Sequence, residues 1–189
     1  MSVLIVIPAR FASTRYPGKP LVGLRGAGGE VKSLIHRTWE AACQVAGKPQ
    51  VVVATDDDRI AAASREFGAD VVMTSDKCVN GTERCAEAYQ LLGGGHEFIV
   101  NLQGDAPLTP PWFIEYLVRE LGQAADASLA TPVLRCTGQM LADLKADRQE
   151  GRVGGTTAVF DSQKRALYFS KEVIPFTSAP YPTDQPSPV

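Results

Sequence analysis

Apolar positions along the chain fall into two recurring patterns. Residues 3–7 form an unbroken apolar run, mostly β-branched, that ends at Pro8. Such a run predicts a strand buried on both faces, as in a parallel sheet covered by helices. Apolar-rich segments at 50–54, 69–73, 98–102 and 128–133, each including a polar residue, predict four further strands. Between them the period changes to that of a helix. Over 33–46 the apolar stripe is Leu34, Ile35, Trp39 and Ala42; over 57–67 it is Ile60, Ala61, Ala63 and Phe67, with Gly68 as the stop. Helices are also predicted over 82–92, with a cap at Gly81 or Thr82, and over 110–122, with prolines in the first turn. Residues 159–160 and 166–169 predict a short hairpin.

Strands alternating with helices imply right-handed βαβ units. The predicted fold is therefore α/β, a doubly wound, mostly parallel, Rossmann-like sheet. Residues 1–175 are expected to form one domain, and the proline-rich 176–189 a loop or frayed end. On such sheets ligands bind beyond the carboxyl ends of the strands, where the strand order reverses. That rule points to the loops after Ile7, Ala54, Met73 and Leu102.

Composition narrows the classes. With 44% hydrophobic and 21% charged residues, the 189-residue chain is an ordinary globular protein. No stretch of about 18 apolar residues is present, so no membrane span is expected, and the N-terminus lacks the features of a secretory signal. Four scattered cysteines (Cys43, Cys78, Cys85 and Cys136) without a C-x-x-C motif argue against zinc and disulfides. A cytoplasmic location is expected. The net charge of −2 is unevenly spread. Residues 1–50 carry seven Lys/Arg against two Glu, whereas residues 51–150 carry eight against sixteen acids. A basic opening on a mildly acidic chain predicts a local anion site; nucleic acid would call for basic charge spread over a face.

The cations concentrate in the first loop: Arg10, Arg15 and Lys19, with Ser13 and Gly18 between them. Arginine forks match phosphate oxygens, lysine supplies a mobile charge, and small residues admit backbone N–H groups. This is polyphosphate chemistry, but neither the P-loop pattern nor G-x-G-x-x-G is present.

The stretch Ile7-Pro8-Ala9-Arg10-Phe11-Ala12-Ser13-Thr14-Arg15-Tyr16-Pro17-Gly18-Lys19-Pro20-Leu21 closely resembles the opening of the 3-deoxy-manno-octulosonate (Kdo) cytidylyltransferases, the CMP-Kdo synthetases. Asn80-Gly81-Thr82-Glu83-Arg84 resembles that family's Ser-Gly-Thr-Glu-Arg, and Val100-Asn101-Leu102-Gln103-Gly104-Asp105-Ala106-Pro107 its Val-Asn-Val-Gln-Gly-Asp-Glu-Pro. A fourth motif lies at 166–171, followed by Ile174-Pro175. The resemblance implies a nucleotide-diphospho-sugar transferase-like fold. It also implies an Mg²⁺-dependent reaction in which CTP and Kdo give CMP-Kdo and pyrophosphate for lipopolysaccharide synthesis, in a cytoplasmic homodimer without nucleic-acid or membrane partners.

By the same resemblance, Pro8, Ala9, Arg10, Ser13, Arg15 and Lys19 hold the triphosphate, with Arg10, Arg15 and Lys19 stabilising the leaving pyrophosphate. Asp105 is the expected Mg²⁺ ligand, although Gly-Asp pairs are also ordinary turn residues. Thr55 and Asp56 are expected at the base pocket, and Asn80, Gly81 and Thr82 at the nucleotide. Asp57 and Asp58 fit helix capping better. Arg84 is expected to meet the sugar carboxylate through a bidentate pair, and Gln103 the sugar hydroxyls. Cys78 and Cys85 are expected to be bystanders.

The chain departs from the family pattern in three places. The glutamate of Gly-Asp-Glu-Pro is Ala106, and Thr157 falls near a family lysine. Family members also continue past the position of Val189, with a second metal-binding aspartate and much of the dimer interface. Two other readings therefore stand beside the first: a nucleotidyltransferase for another acid sugar (8-amino-Kdo or sialic-type), and a nucleotide-binding protein without turnover.

Overall fold

The computed structural model describes residues 1–12, 16–174 and 176. The chain divides into two units, Met1–Ala130 and Thr131–Val189. In the first, β1 (Val3–Ala9) is followed by a 3-10 turn (Lys19–Leu21), β2 (Gly23–Arg25), β3 (Val31–Ser33) and α1 (Leu34–Cys43). Then come β4 (Gln50–Thr55), α2 (Asp58–Glu66), β5 (Asp70–Met73), α3 (Gly81–Leu91), β6 (Phe98–Asn101) and α4 (Pro111–Gln123).

Four of these strands form a parallel sheet in the order β5-β4-β1-β6, with Ile5 opposite Val51 on one side and Val100 on the other. Successive side chains of a strand point to opposite faces, and β1 shows what this does. Ile5, Ile7 and Ala9 pack with Ile35, Ala42, Ile60 and Ile114 from α1, α2 and α4. Leu4 and Val6 pack on the other face with Cys85 and Ala88 from α3. Covering both faces is why the run at 3–7 has no polar alternation. Each fully buried Val, Leu or Ile there contributes about 1.5–3 kcal/mol relative to exposure.

Helix starts follow side-chain chemistry. The Ser33 hydroxyl accepts from His36 N at 3.4 Å, and Asp57 Oδ1 accepts from Arg59 N at 3.0 Å and Ile60 N at 3.4 Å. The cap of α3 is Asn80, whose Oδ1 accepts from Glu83 N at 2.9 Å, and not Gly81 or Thr82. Asparagine wins because its side-chain oxygen reaches the orphan donors that a glycine leaves unmet.

The expected strand at 128–133 is not formed. Leu129 and Val133 are exposed, Pro132 brings no backbone donor for a ladder, and the segment spans the boundary between the two units. An antiparallel pair not expected from the pattern, β2–β3, joins Gly23 to Ser33 and Arg25 to Val31. Its arms are too short for periodicity to register.

The second unit contains α5 (Gly138–Gln149) and an antiparallel pair, β7 (Thr157–Phe160) and β8 (Ala166–Ser170). The pair matches the expected hairpin, with an irregularity between Val159 and Phe160. α5, absent from the sequence reading, is capped by Thr137, whose hydroxyl accepts from Met140 N at 3.2 Å. Among the described residues no helix is long and apolar enough to cross a membrane.

Asp57→Ala removes the α2 cap and should cost about 1 kcal/mol of unfolding free energy in urea titration. Hydrogen bonding to Arg59 is the largest influence holding the Asp57 carboxyl below its ordinary value of 3.8. The cap's contribution is therefore present above that value and is lost as pH falls through the depressed one. The difference between wild type and variant should shrink in the same acid range.

Candidate active site

Strand order reverses at β1. The chain runs outward from β1 through β4 to β5, then returns to place β6 on the opposite side. The loops following β1 and β6 therefore lie side by side at the carboxyl edge of the sheet. The first begins at Arg10, which is exposed. Ser13 and Arg15 lie outside the described residues. The loop closes where Gly18 N donates to Phe11 O at 3.0 Å. Gly18 has a φ of 70°, and a Cβ there would stand 3.0 Å from the Phe11 ring, so both backbone and space call for glycine. The guanidinium carbon of Arg59 lies 3.3 Å from the centre of that ring, so the start of α2 covers the loop's aromatic anchor.

Closure at Gly18 presents Lys19 to the neighbouring loop. Lys19 Nζ donates to Asp105 Oδ2 at 2.7 Å, with both side chains about half exposed. The structure thus brings together the loop lysine and the carboxylate that the sequence singled out separately. Between them the backbones make a close fit: a Cβ on Gly104 would stand 2.9 Å from Pro8 O and 3.2 Å from Ile35 Cδ1. The fully buried Thr38 hydroxyl contacts the carbonyls of Leu34 and Gly104 at 3.1 Å each. Thr38 was not singled out from sequence. Its signal is a hydroxyl lying on the apolar stripe of a helix, between Leu34 and Ala42.

On the opposite face, Gly81 at the start of α3 sits beside this junction. A Cβ there would come within 3.2 Å of Gln103 Nε2 and 3.3 Å of Pro8 Cγ. Gln103 is exposed and donates to Asn101 Oδ1 at 2.7 Å. Thr82 is exposed, whereas Asn80 is occupied with Glu83 in both directions. Pro8 and Ala9 are buried as backbone walls of the junction. Thr55 is fully buried, its hydroxyl accepting from Asp57 N at 3.2 Å.

Arg84, expected at a sugar carboxylate, is 4% exposed and pairs with Asp56, Nη2 to Oδ2 at 3.2 Å. Its Nη1 donates to the Thr74 hydroxyl. Nearby, Glu87 accepts from Ser75 N at 2.7 Å and from Cys78 Sγ at 2.9 Å. That bond raises the pKa of the Cys78 thiol, and burial pushes that of Cys85 up to about 12. Neither thiol is an activated nucleophile.

Among the described residues no group of three or more His, Cys, Asp or Glu could hold a metal ion. Asp105 is a single hard carboxylate beside a cationic loop. That donor set suits Mg²⁺, which binds through one or two carboxylates, substrate phosphates and water instead of an all-protein cage.

A cytidylyltransferase family profile matches residues 4–180. The 3-deoxy-manno-octulosonate cytidylyltransferase of Maricaulis maris is 44% identical over 180 residues, or 95% of this chain and 68% of that protein. The Zea mays protein of the same name is 43% identical over 174 residues, or 92% of this chain and 54% of its own length. A solved CMP:2-keto-3-deoxy-manno-octonic acid synthetase complexed with CTP matches with a TM-score of 0.77 at 33% identity, over 96% of this chain and 70% of that one. The chain thus spans from about half to about two thirds of these curated relatives' length.

Gly104→Ala should cost about 1–3 kcal/mol in thermal or urea unfolding, because the added methyl group meets backbone instead of a movable side chain.

Proposed function

The chain belongs to the cytidylyltransferase family and stands within it among the 3-deoxy-manno-octulosonate cytidylyltransferases; from that premise we propose that it takes part in activating Kdo with CTP, giving CMP-Kdo and pyrophosphate for lipopolysaccharide synthesis. The observation that carries this reading is the 2.7 Å contact between Lys19 and Asp105, which joins a cationic loop to a metal-competent carboxylate where the strand order reverses.

In the proposed reaction the anomeric hydroxyl oxygen of Kdo bonds to the α-phosphorus of CTP. The bond from that phosphorus to the bridging oxygen of pyrophosphate breaks, pyrophosphate leaves with the electron pair, and the hydroxyl proton passes to solvent. Transfers of this type need alignment and charge neutralisation more than covalent help. Arg10 and Lys19, with Ser13 and Arg15 of the same loop, hold the triphosphate and neutralise the charge that builds on the leaving group. Asp105 holds Mg²⁺, which when bound supplies further neutralisation of the phosphate oxygens. In this reading Lys19 trades Asp105 for phosphate oxygens when nucleotide arrives, so the two opposite charges keep one another satisfied until then. Gln103 and Thr82 offer neutral donors and acceptors at the edge of the same junction. A homodimer and a cytoplasmic location belong to the proposal, and native mass measurement checks the first.

Pyrophosphate release from CTP tests the reading. Release that depends on Kdo supports it. Release with a different acid sugar moves the acceptor assignment, and CTP binding without release under any acceptor leaves a binding protein. Lys19→Ala should slow turnover by about 10²–10³, as removal of a preorganised charge donor does. Asp105→Asn should abolish turnover or raise the Mg²⁺ concentration needed for half-maximal rate; an unchanged Mg²⁺ titration would return Asp105 to a structural role.

A further inference from the structure

The chemistry proposed above makes no use of a buried arginine, yet Arg84 is the only buried charged side chain among the described residues. Its fork is spent inside the protein, on Asp56 at 3.2 Å and on the Thr74 hydroxyl. These partners stand directly after two adjacent strands, Asp56 after β4 and Thr74 after β5. A backbone bond from Thr74 N to Thr55 O at 2.9 Å ties the same two strand ends. Arg84 therefore clamps a corner of the sheet's carboxyl edge from beneath.

The clamp is aimed at Asp56. Thr55, the residue before it, pairs in register with Ala9, the residue before Arg10. Asp56 thus stands one strand over, about 5 Å, from the start of the cationic loop. Its side chain remains 23% exposed. A carboxylate offers acceptors only and repels phosphate, so a phosphate group is not its partner. A nucleotide held by its phosphates in the neighbouring loop does carry suitable donors, on its base and on its ribose. An acceptor fixed at that distance can read either one, as acidic side chains accept from the amino group of cytosine or from ribose hydroxyls elsewhere.

Resting on the cytidylyltransferase reading, we propose that Arg84 is a positioning residue that holds the Asp56 carboxylate as the acceptor for a donor of the nucleoside, either the cytosine amino group or a ribose hydroxyl. Arg84 acts through Asp56 and does not itself meet the sugar acid. Its place is taken up by packing as much as by charge: a lysine would keep the charge but lose the planar fork that spans Asp56 and Thr74 together.

Calorimetric titration of the full chain with CTP, UTP, 2′-deoxy-CTP, 3′-deoxy-CTP and inorganic tripolyphosphate tests this, with Asp56→Asn and Arg84→Lys as variants and circular dichroism as the check on folding. Both variants should weaken CTP binding by about 10- to 100-fold, as loss of a charged hydrogen-bond partner does, and leave tripolyphosphate binding unchanged. If the donor is the cytosine amino group, Asp56→Asn collapses the preference for CTP over UTP. If it is a ribose hydroxyl, the same variant collapses the preference for CTP over a deoxy analogue. Parallel loss of CTP and tripolyphosphate in both variants would make Arg84 and Asp56 purely structural and overturn the proposal, as would Asp56→Asn binding CTP like the wild type. Wild-type protein that binds no CTP takes down the cytidylyltransferase reading itself, a result distinct from any change confined to the variants.

Discussion

The close approach of Gly104 to the end of β1 is the constraint on which the candidate site rests. With no side chain at 104, the loop after β6 comes against Pro8 O and Ile35, and Thr38 ties its carbonyl to α1. That packing sets where Asp105 stands. The ion pair with Lys19 does not: both partners are half exposed, and exposed pairs contribute little to stability. Its significance is one of placement. Buried packing fixes the backbone, and the exposed charges at the surface of that backbone stay free to exchange partners.

The same division of labour appears on the α3 side. Buried or capping groups hold the frame: Arg84 between Asp56 and Thr74, Asn80 and Glu83 at the helix start, and Glu87 beneath the 75–78 turn. Exposed groups at the sheet's edge, namely Arg10, Thr82, Gln103 and Asp105, are left for chemistry. Taking a guanidinium out of water is costly unless it is fully paired. A buried arginine with two partners is therefore strong evidence of a corner whose geometry matters, and much weaker evidence of a contact with substrate.

Much of this was legible in the chain. The apolar runs at 3–7 and 51–54 mark the buried central strands, because unbroken runs of that length suit a strand covered on both faces. The helix stripes marked α1 and α2 in the same way, and first-turn prolines marked α4. The loops at 8–20 and 103–105 were singled out by their charges and by following those strands. Less legible were elements whose cause is not local. Residues 128–133 had the apolar content of a strand but no neighbour to pair with, while β2 and β3 had too few residues to show a period and owe their existence to one another. The Gly26-Ala27-Gly28-Gly29 turn between them was the available signal. α5 carries only a weak apolar stripe, with Leu141 its buried hydrophobic residue.

Sequence by itself determined the fold class and the composition of each loop, because a strand's or helix's burial pattern is written in residues a few positions apart. Only tertiary structure decided which loops meet and which charges find each other. Lys19 and Asp105 are 86 positions apart, and Arg84 pairs with Asp56 because two strand ends and a helix start converge on one corner. Local periodicity carries no information about such partners. They follow from strand order and from the one glycine that lets two backbones touch.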